Sequence, residues 1–85
     1  MKEKIILRKQ AKSLEPIIRI GKNGITGPML KEIQKVIEKR NLIKIKLLEH
    51  SYGEMDRKEF VNELVMKTQA ELIELVGNIV VLYKK

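Results

Sequence analysis

The chain has 85 residues, 44% of them hydrophobic, a formal net charge of +7 and no cysteine. That length allows one small domain with a single core, and that apolar content excludes a disordered chain. Without cysteine there are no disulfides and no thiolate metal sites, and the positive charge directs attention to an anionic partner, nucleic acid first.

Residues 3–13 read as a basic helix. Ile5, Ile6, Leu7, Ala11 and Leu14 are expected to form its packed stripe, with Lys4, Arg8, Lys9 and Lys12 outside. Leu14-Glu15-Pro16 ends it, because the residue before a proline is pushed out of the α region. Ile17-Ile18-Arg19-Ile20 is a short β-branched run and predicts strand one. Gly21-Lys22-Asn23-Gly24 follows, and Thr26 then suits the N-cap of a long helix. Pro28 falls in that helix's first turn, where no N–H is needed. Leu30, Ile33, Val36 and Ile37 recur at helical spacing, Lys31, Lys35, Lys39 and Arg40 populate the outside, and Asn41 closes the helix.

Leu42-Ile43-Lys44-Ile45-Lys46-Leu47 alternates with period two, which predicts a half-buried strand. Ile43, Ile45 and Leu47 point inward, and Lys44 and Lys46 face out together. His50-Ser51-Tyr52-Gly53 reads as a loop. Asp56-Arg57-Lys58-Glu59 resembles a capping box with Asp as its first residue, and the helix behind it packs Phe60, Val61, Leu64, Val65 and Thr68. Leu72–Val76 and Ile79–Tyr83 are two strands split by Gly77-Asn78, a dipeptide suited to a tight hairpin turn. The order α-β-α-β-α-β-β makes residues 1–85 a single α/β domain with a mixed four-stranded sheet. Successive βαβ units imply parallel neighbours and right-handed crossovers, and the final hairpin adds an antiparallel strand.

Catalytic chemistry finds little material. His50 is the only histidine and has no Cys or paired acid near it in sequence. Ser13 and Ser51 lack a nucleophile context such as G-x-S-x-G. Glu71 and Glu74 read as a solvated strand face, and no metal-ligand spacing occurs. No enzyme, metal or cofactor is expected. The opening residues are too charged for a signal peptide, and no apolar run reaches the roughly 18 residues of a membrane span. A cytoplasmic protein without a membrane partner is expected.

The charge is unevenly divided. Residues 1–48 carry 13 Lys and Arg against 4 Asp and Glu, a net of +9, whereas residues 49–85 carry 5 against 7, a net of −2. The basic half contains the Gly21–Gly24 loop. Gly21-x-x-Gly24-x-x-Gly27 is neither the dinucleotide fingerprint G-x-G-x-x-G nor a P-loop. Its glycines instead allow a close backbone approach, Lys22 supplies charge, and the helix that follows aims unpaired N–H groups and its positive dipole end at the loop. An RNA phosphodiester backbone is the ligand this chemistry suits. The aromatic residues are Tyr52, Phe60 and Tyr83 only. That is too few for a sheet that stacks several bases, so recognition is expected to rest on phosphate, ribose and shape.

The basic first helix, the run from Leu14-Glu15-Pro16-Ile17-Ile18 into Ile20-Gly21-Lys22-Asn23-Gly24-Ile25-Thr26, the strand Leu42–Lys46 and the segment Gly77–Tyr83 together resemble the CRM (CRS1–YhbY) RNA-binding family, especially its stand-alone members. The likeness runs from Arg8 to Lys84. It implies a fold similar to the C-terminal domain of translation initiation factor three, and RNA binding through the loop and nearby basic surface. Bacterial stand-alone members are associated with large-subunit ribosomal precursors, and plant relatives with intron splicing. By position, Gly21, Lys22, Asn23 and Gly24 would form the clamp, while Arg19, Arg8, Lys9 and Lys12 join it on charge. Because this sequence stops just after its last strand, contacts carried by a tail are expected to be missing. The expected function is a monomeric RNA-binding module for structured RNA, ribosomal RNA during large-subunit assembly above all. A protein-interaction adaptor on ribosomal particles, working through the acidic half, is the alternative. A DNA-binding protein ranks last, since no helix resembles a base-reading recognition helix.

Overall fold

The structure is a computed structural model that describes residues 2–48 and 53–85. Its elements are α1 (Lys2–Lys12), β1 (Ile18–Ile20), α2 (Gly27–Arg40), β2 (Leu42–Leu47), α3 (Arg57–Thr68), β3 (Glu71–Val76) and β4 (Ile79–Tyr83). This is the expected order of three helices and four strands. Within the loop expected at 50–53, His50, Ser51 and Tyr52 lie outside the described residues.

The strands form one mixed sheet in the order β1-β2-β4-β3. β1 and β2 are parallel, as a βαβ unit requires, with Ile18 opposite Ile45 and Ile20 opposite Leu47. The second expectation of parallel neighbours fails. β4 inserts between β2 and β3 and pairs antiparallel with both, so β2 and β3 never touch as neighbours. The tight β3–β4 hairpin makes this insertion possible. Val76 lies opposite Ile79, and of the two linking residues only Gly77 takes a positive φ, 57°, which is the glycine-first pattern of a two-residue hairpin turn.

Period-two alternation gives the sheet two covered faces. On one, Ile18, Ile20, Ile43, Ile45, Leu47, Val80 and Leu82 pack under α2 and α3 through Ile33, Ile37, Phe60, Val61 and Leu64. On the other, Ala11 of α1 sits with Ile73 and Val81, flanked by Leu7, Leu42 and Tyr83. Each Ile, Leu or Val sealed in this way contributes about 1.5–3 kcal/mol. Ile5 and Ile6, expected in the α1 stripe, are 53% and 54% exposed. Consecutive helical residues are 100° apart, so a narrow stripe through Leu7 and Ala11 leaves both on other sides of the helix.

The caps divide in the same way. Thr26 caps α2 as expected, its Oγ1 accepting from the Met29 N–H at 3.3 Å, and Asn41 ends it at φ 64°. Asp56 stands at the N-cap of α3 but makes no side-chain capping bond, so the expected capping box does not form. At the far end of α3 the buried Thr68 hydroxyl donates to the Leu64 carbonyl at 2.8 Å. The Thr68 carbonyl accepts from Gln34 Nε2 of α2 at 2.9 Å. That bond, with Lys84 Nζ on Gln34 Oε1 at 3.2 Å, fixes α2 against α3 and thereby the starting point of α2.

Candidate nucleic-acid interface

The Gly21–Gly24 segment leaves the end of β1 as a tight turn. The Gly24 N–H donates to the Gly21 carbonyl at 3.0 Å. Neither central residue has a positive φ, while Gly24 does, at 65°. That is the pattern of a type I turn closed by a glycine. Its flanks are held. Just before the turn, the Leu48 N–H donates to the Ile20 carbonyl at 2.9 Å. Just after it, Ile25 packs on the main core. Lys22 and Asn23 therefore stand exposed on a turn anchored at both ends.

The two glycines differ. Gly24 occupies the left-handed region, where a Cβ is strained. Gly21 does not, and a Cβ there would meet nothing nearer than Leu48 Cδ1 at 3.9 Å. The fold needs a glycine at 24. At 21 a glycine gives only a bare backbone to whatever approaches.

The start of α2 is less open than its sequence implies. Pro28 has no N–H, and the Met29 N–H is taken by Thr26. Among the described residues, Gly27 is the first-turn donor left without a partner, in place of the expected fan of unpaired N–H groups. The dipole end stays uncompensated, because the first turn of α2 contains no acidic residue. A helix start without Asp or Glu forgoes a stabilising interaction that an external anion can replace.

Cations surround the loop unequally. Arg19 and Lys46 are exposed and directly opposite each other on β1 and β2. Their strand neighbours Ile18, Ile20, Ile45 and Leu47 all point into the main core, so both side chains leave from the α1 face of the sheet. Lys44 shares that face but does not face out with Lys46. It is half-buried, its Nζ donating to the Leu14 carbonyl at 3.1 Å. On the other flank, a cleft of about 270 Å³ lies between Gly24 and Ile25 and the α3 residues Phe60, Glu63 and Lys67. There Lys67 Nζ is paired with Glu63 Oε1 at 3.0 Å.

The first-helix cations are not brought against the loop. α1 lies across the sheet from α2, over Ile73, Val81, Leu42 and Tyr83. Arg8, Lys9 and Lys12 are all exposed, but the Arg8 Nε is engaged, donating to the Ile73 carbonyl at 3.3 Å. Lys46 is a surface cation beside Arg19 that the sequence did not assign to the site. Its outward direction was readable from the alternation, but its place beside Arg19 depends on strand register. Among the described residues no cluster of His, Asp or Glu is placed to hold a metal. No helix among them is long and apolar enough to cross a membrane.

Comparison with known proteins places this geometry in context. The family model for the CRS1 / YhbY (CRM) domain matches residues 1–84. A Bacillus subtilis (strain 168) protein named Probable RNA-binding protein YqeI is 37% identical over 84 residues, covering 99% of this chain and 85% of that protein. A Haemophilus influenzae protein named RNA-binding protein is 32% identical over 84 residues, covering 98% of this chain and 82% of its own. The solution structure of a hypothetical protein from Staphylococcus aureus matches with a TM-score of 0.80 at 35% identity, covering 99% of this chain and 85% of that one. Sequence, family model and fold agree along almost the whole chain, and the chain belongs to the CRS1/YhbY (CRM) domain family.

Proposed function

We propose that this protein binds structured RNA through its phosphate backbone, acting as a one-domain monomer and not as an enzyme. The clamp is the Gly21–Gly24 turn. Lys22 neutralises a phosphate, Asn23 hydrogen-bonds phosphate or ribose, and Gly21 lets the strand approach the main chain. The observation that carries this reading is the exposed Lys22-Asn23 pair on an anchored turn, set before a helix start that has no acid of its own. Curated relatives named as RNA-binding proteins support RNA as the partner. The family resemblance favours ribosomal RNA during large-subunit assembly, and a cytoplasmic protein is part of the same proposal.

The test is the double variant Lys22→Ala/Gly24→Asp, assayed for RNA binding by fluorescence anisotropy and for folding by circular dichroism. Asp tolerates the left-handed region better than most residues, so the fold should persist while RNA binding is lost. Retained RNA binding in a folded variant refutes the clamp. Crosslinking to total cellular RNA, followed by sequencing of the attached fragments, should return large-subunit ribosomal RNA. Fragments from unrelated transcripts would refute that assignment.

A further inference from the structure

At the loop end of the sheet's α1 face, among the described residues, Arg19, Lys46 and Val76 are exposed and Ile79 is half-buried. The residues opposite one another there run Arg19, Lys46, Ile79 and Val76 across β1, β2, β4 and β3. The α1 helix covers Val81 and Ile73 and, beyond them, Leu42 and Tyr83, but not this row. Val76 is 59% exposed at one end of it. At the other end two cations stand side by side, an arrangement that costs a sheet stability. Neither takes part in the ion pairs found among the described residues, Lys4–Glu71 and Lys67–Glu63. No ion pair among the described residues offsets this juxtaposition, and a polyanion would. Arg19 is separated from the clamp only by Ile20, so the row continues the loop surface.

We infer that an RNA strand held at the Gly21–Gly24 turn leaves it across this row. Arg19 and Lys46 each take a phosphate, and Ile79 and Val76 lie under the adjoining sugar and base. The opposite flank is unsuited to the same task, because the carboxylate of Glu63 occupies Lys67 there. This inference rests on the proposed RNA clamp and adds Lys46, Ile79 and Val76 to its footprint.

The experiment measures affinity against salt for an RNA hairpin with a single-stranded tail, comparing wild type with Lys46→Gln, Lys39→Gln and the loop variant Lys22→Ala/Gly24→Asp. Lys39 is exposed on α2, across the sheet from the row, and controls for loss of charge alone. A lost phosphate contact reduces the log–log salt slope by about 0.7 for single strands. Lys46→Gln should show that reduction and Lys39→Gln a much smaller one. The melting temperature of Lys46→Gln should hold or rise, since the repulsion with Arg19 is relieved. Equal slopes for Lys46→Gln and Lys39→Gln, with the loop variant inactive, overturn the sheet path and leave the clamp standing. A reduced slope for Lys46→Gln with an unaffected loop variant keeps the sheet contact and removes the clamp. Absence of RNA binding by the wild type overturns both.

Discussion

Replacing Gly21 and Gly24 by alanine, one at a time, separates what the loop does for folding from what it does for binding. At Gly24, φ is 65°, and an L-residue with a Cβ costs about 1–2 kcal/mol in that region. At Gly21 the added Cβ lies 3.9 Å from Leu48 Cδ1, an ordinary contact outside the left-handed region. Alanine there restricts the unfolded chain and should stabilise by about 0.4–1 kcal/mol. For a domain of this size each kcal/mol moves the melting temperature by about 4–8 °C. Gly24→Ala should therefore melt about 4–16 °C below wild type, and Gly21→Ala at or a few degrees above it. Binding should not follow stability. If phosphate rests against the loop backbone, the methyl group of Gly21→Ala holds it away, so the more stable protein binds RNA more weakly. Thermal circular dichroism and RNA anisotropy on the same samples give both quantities. A Gly21→Ala protein that melts as early as Gly24→Ala refutes the structural distinction, and one that binds RNA like wild type refutes the close approach.

Other consequences concern the frame that holds the loop. Ile45 is fully buried under α2 and α3, so Ile45→Ala should cost about 2–5 kcal/mol in urea unfolding. A loss below that range would mean that the main core is looser than described. Thr26→Ala removes a capping bond and should cost about 1 kcal/mol. Asp56→Ala, which removes no such bond, should lower the melting temperature by clearly less; equal losses would show that Asp56 caps after all.

Much of this architecture is legible without coordinates because it is local. The period-two run 42–47, the helical spacing of Leu30, Ile33 and Ile37, and the breaks at Pro16 and Gly77 each depend on residues a few positions apart. Those elements occur close to where they are expected. What escapes the sequence is tertiary. The insertion of β4 between β2 and β3 is a choice among pairings that the strand sequences leave open. Lys44 looks equivalent to Lys46 until the carbonyl of Leu14 is found within its reach. Arg8 looks like a free surface cation until its Nε is found on the carbonyl of Ile73 in β3. For the candidate site, the turn and its exposed Lys22 and Asn23 follow from glycine placement alone. Which cations share its surface depends on the register of β1 against β2, and the number of free donors at α2 depends on how Pro28 and Thr26 use up its first turn.

Electrostatic capture of an RNA backbone makes RNA affinity depend steeply on salt. If about five phosphates are neutralised, log affinity should fall with log salt at a slope of roughly −3 to −4, and duplex DNA at equal salt should bind more weakly. A flat response would rule out electrostatic capture.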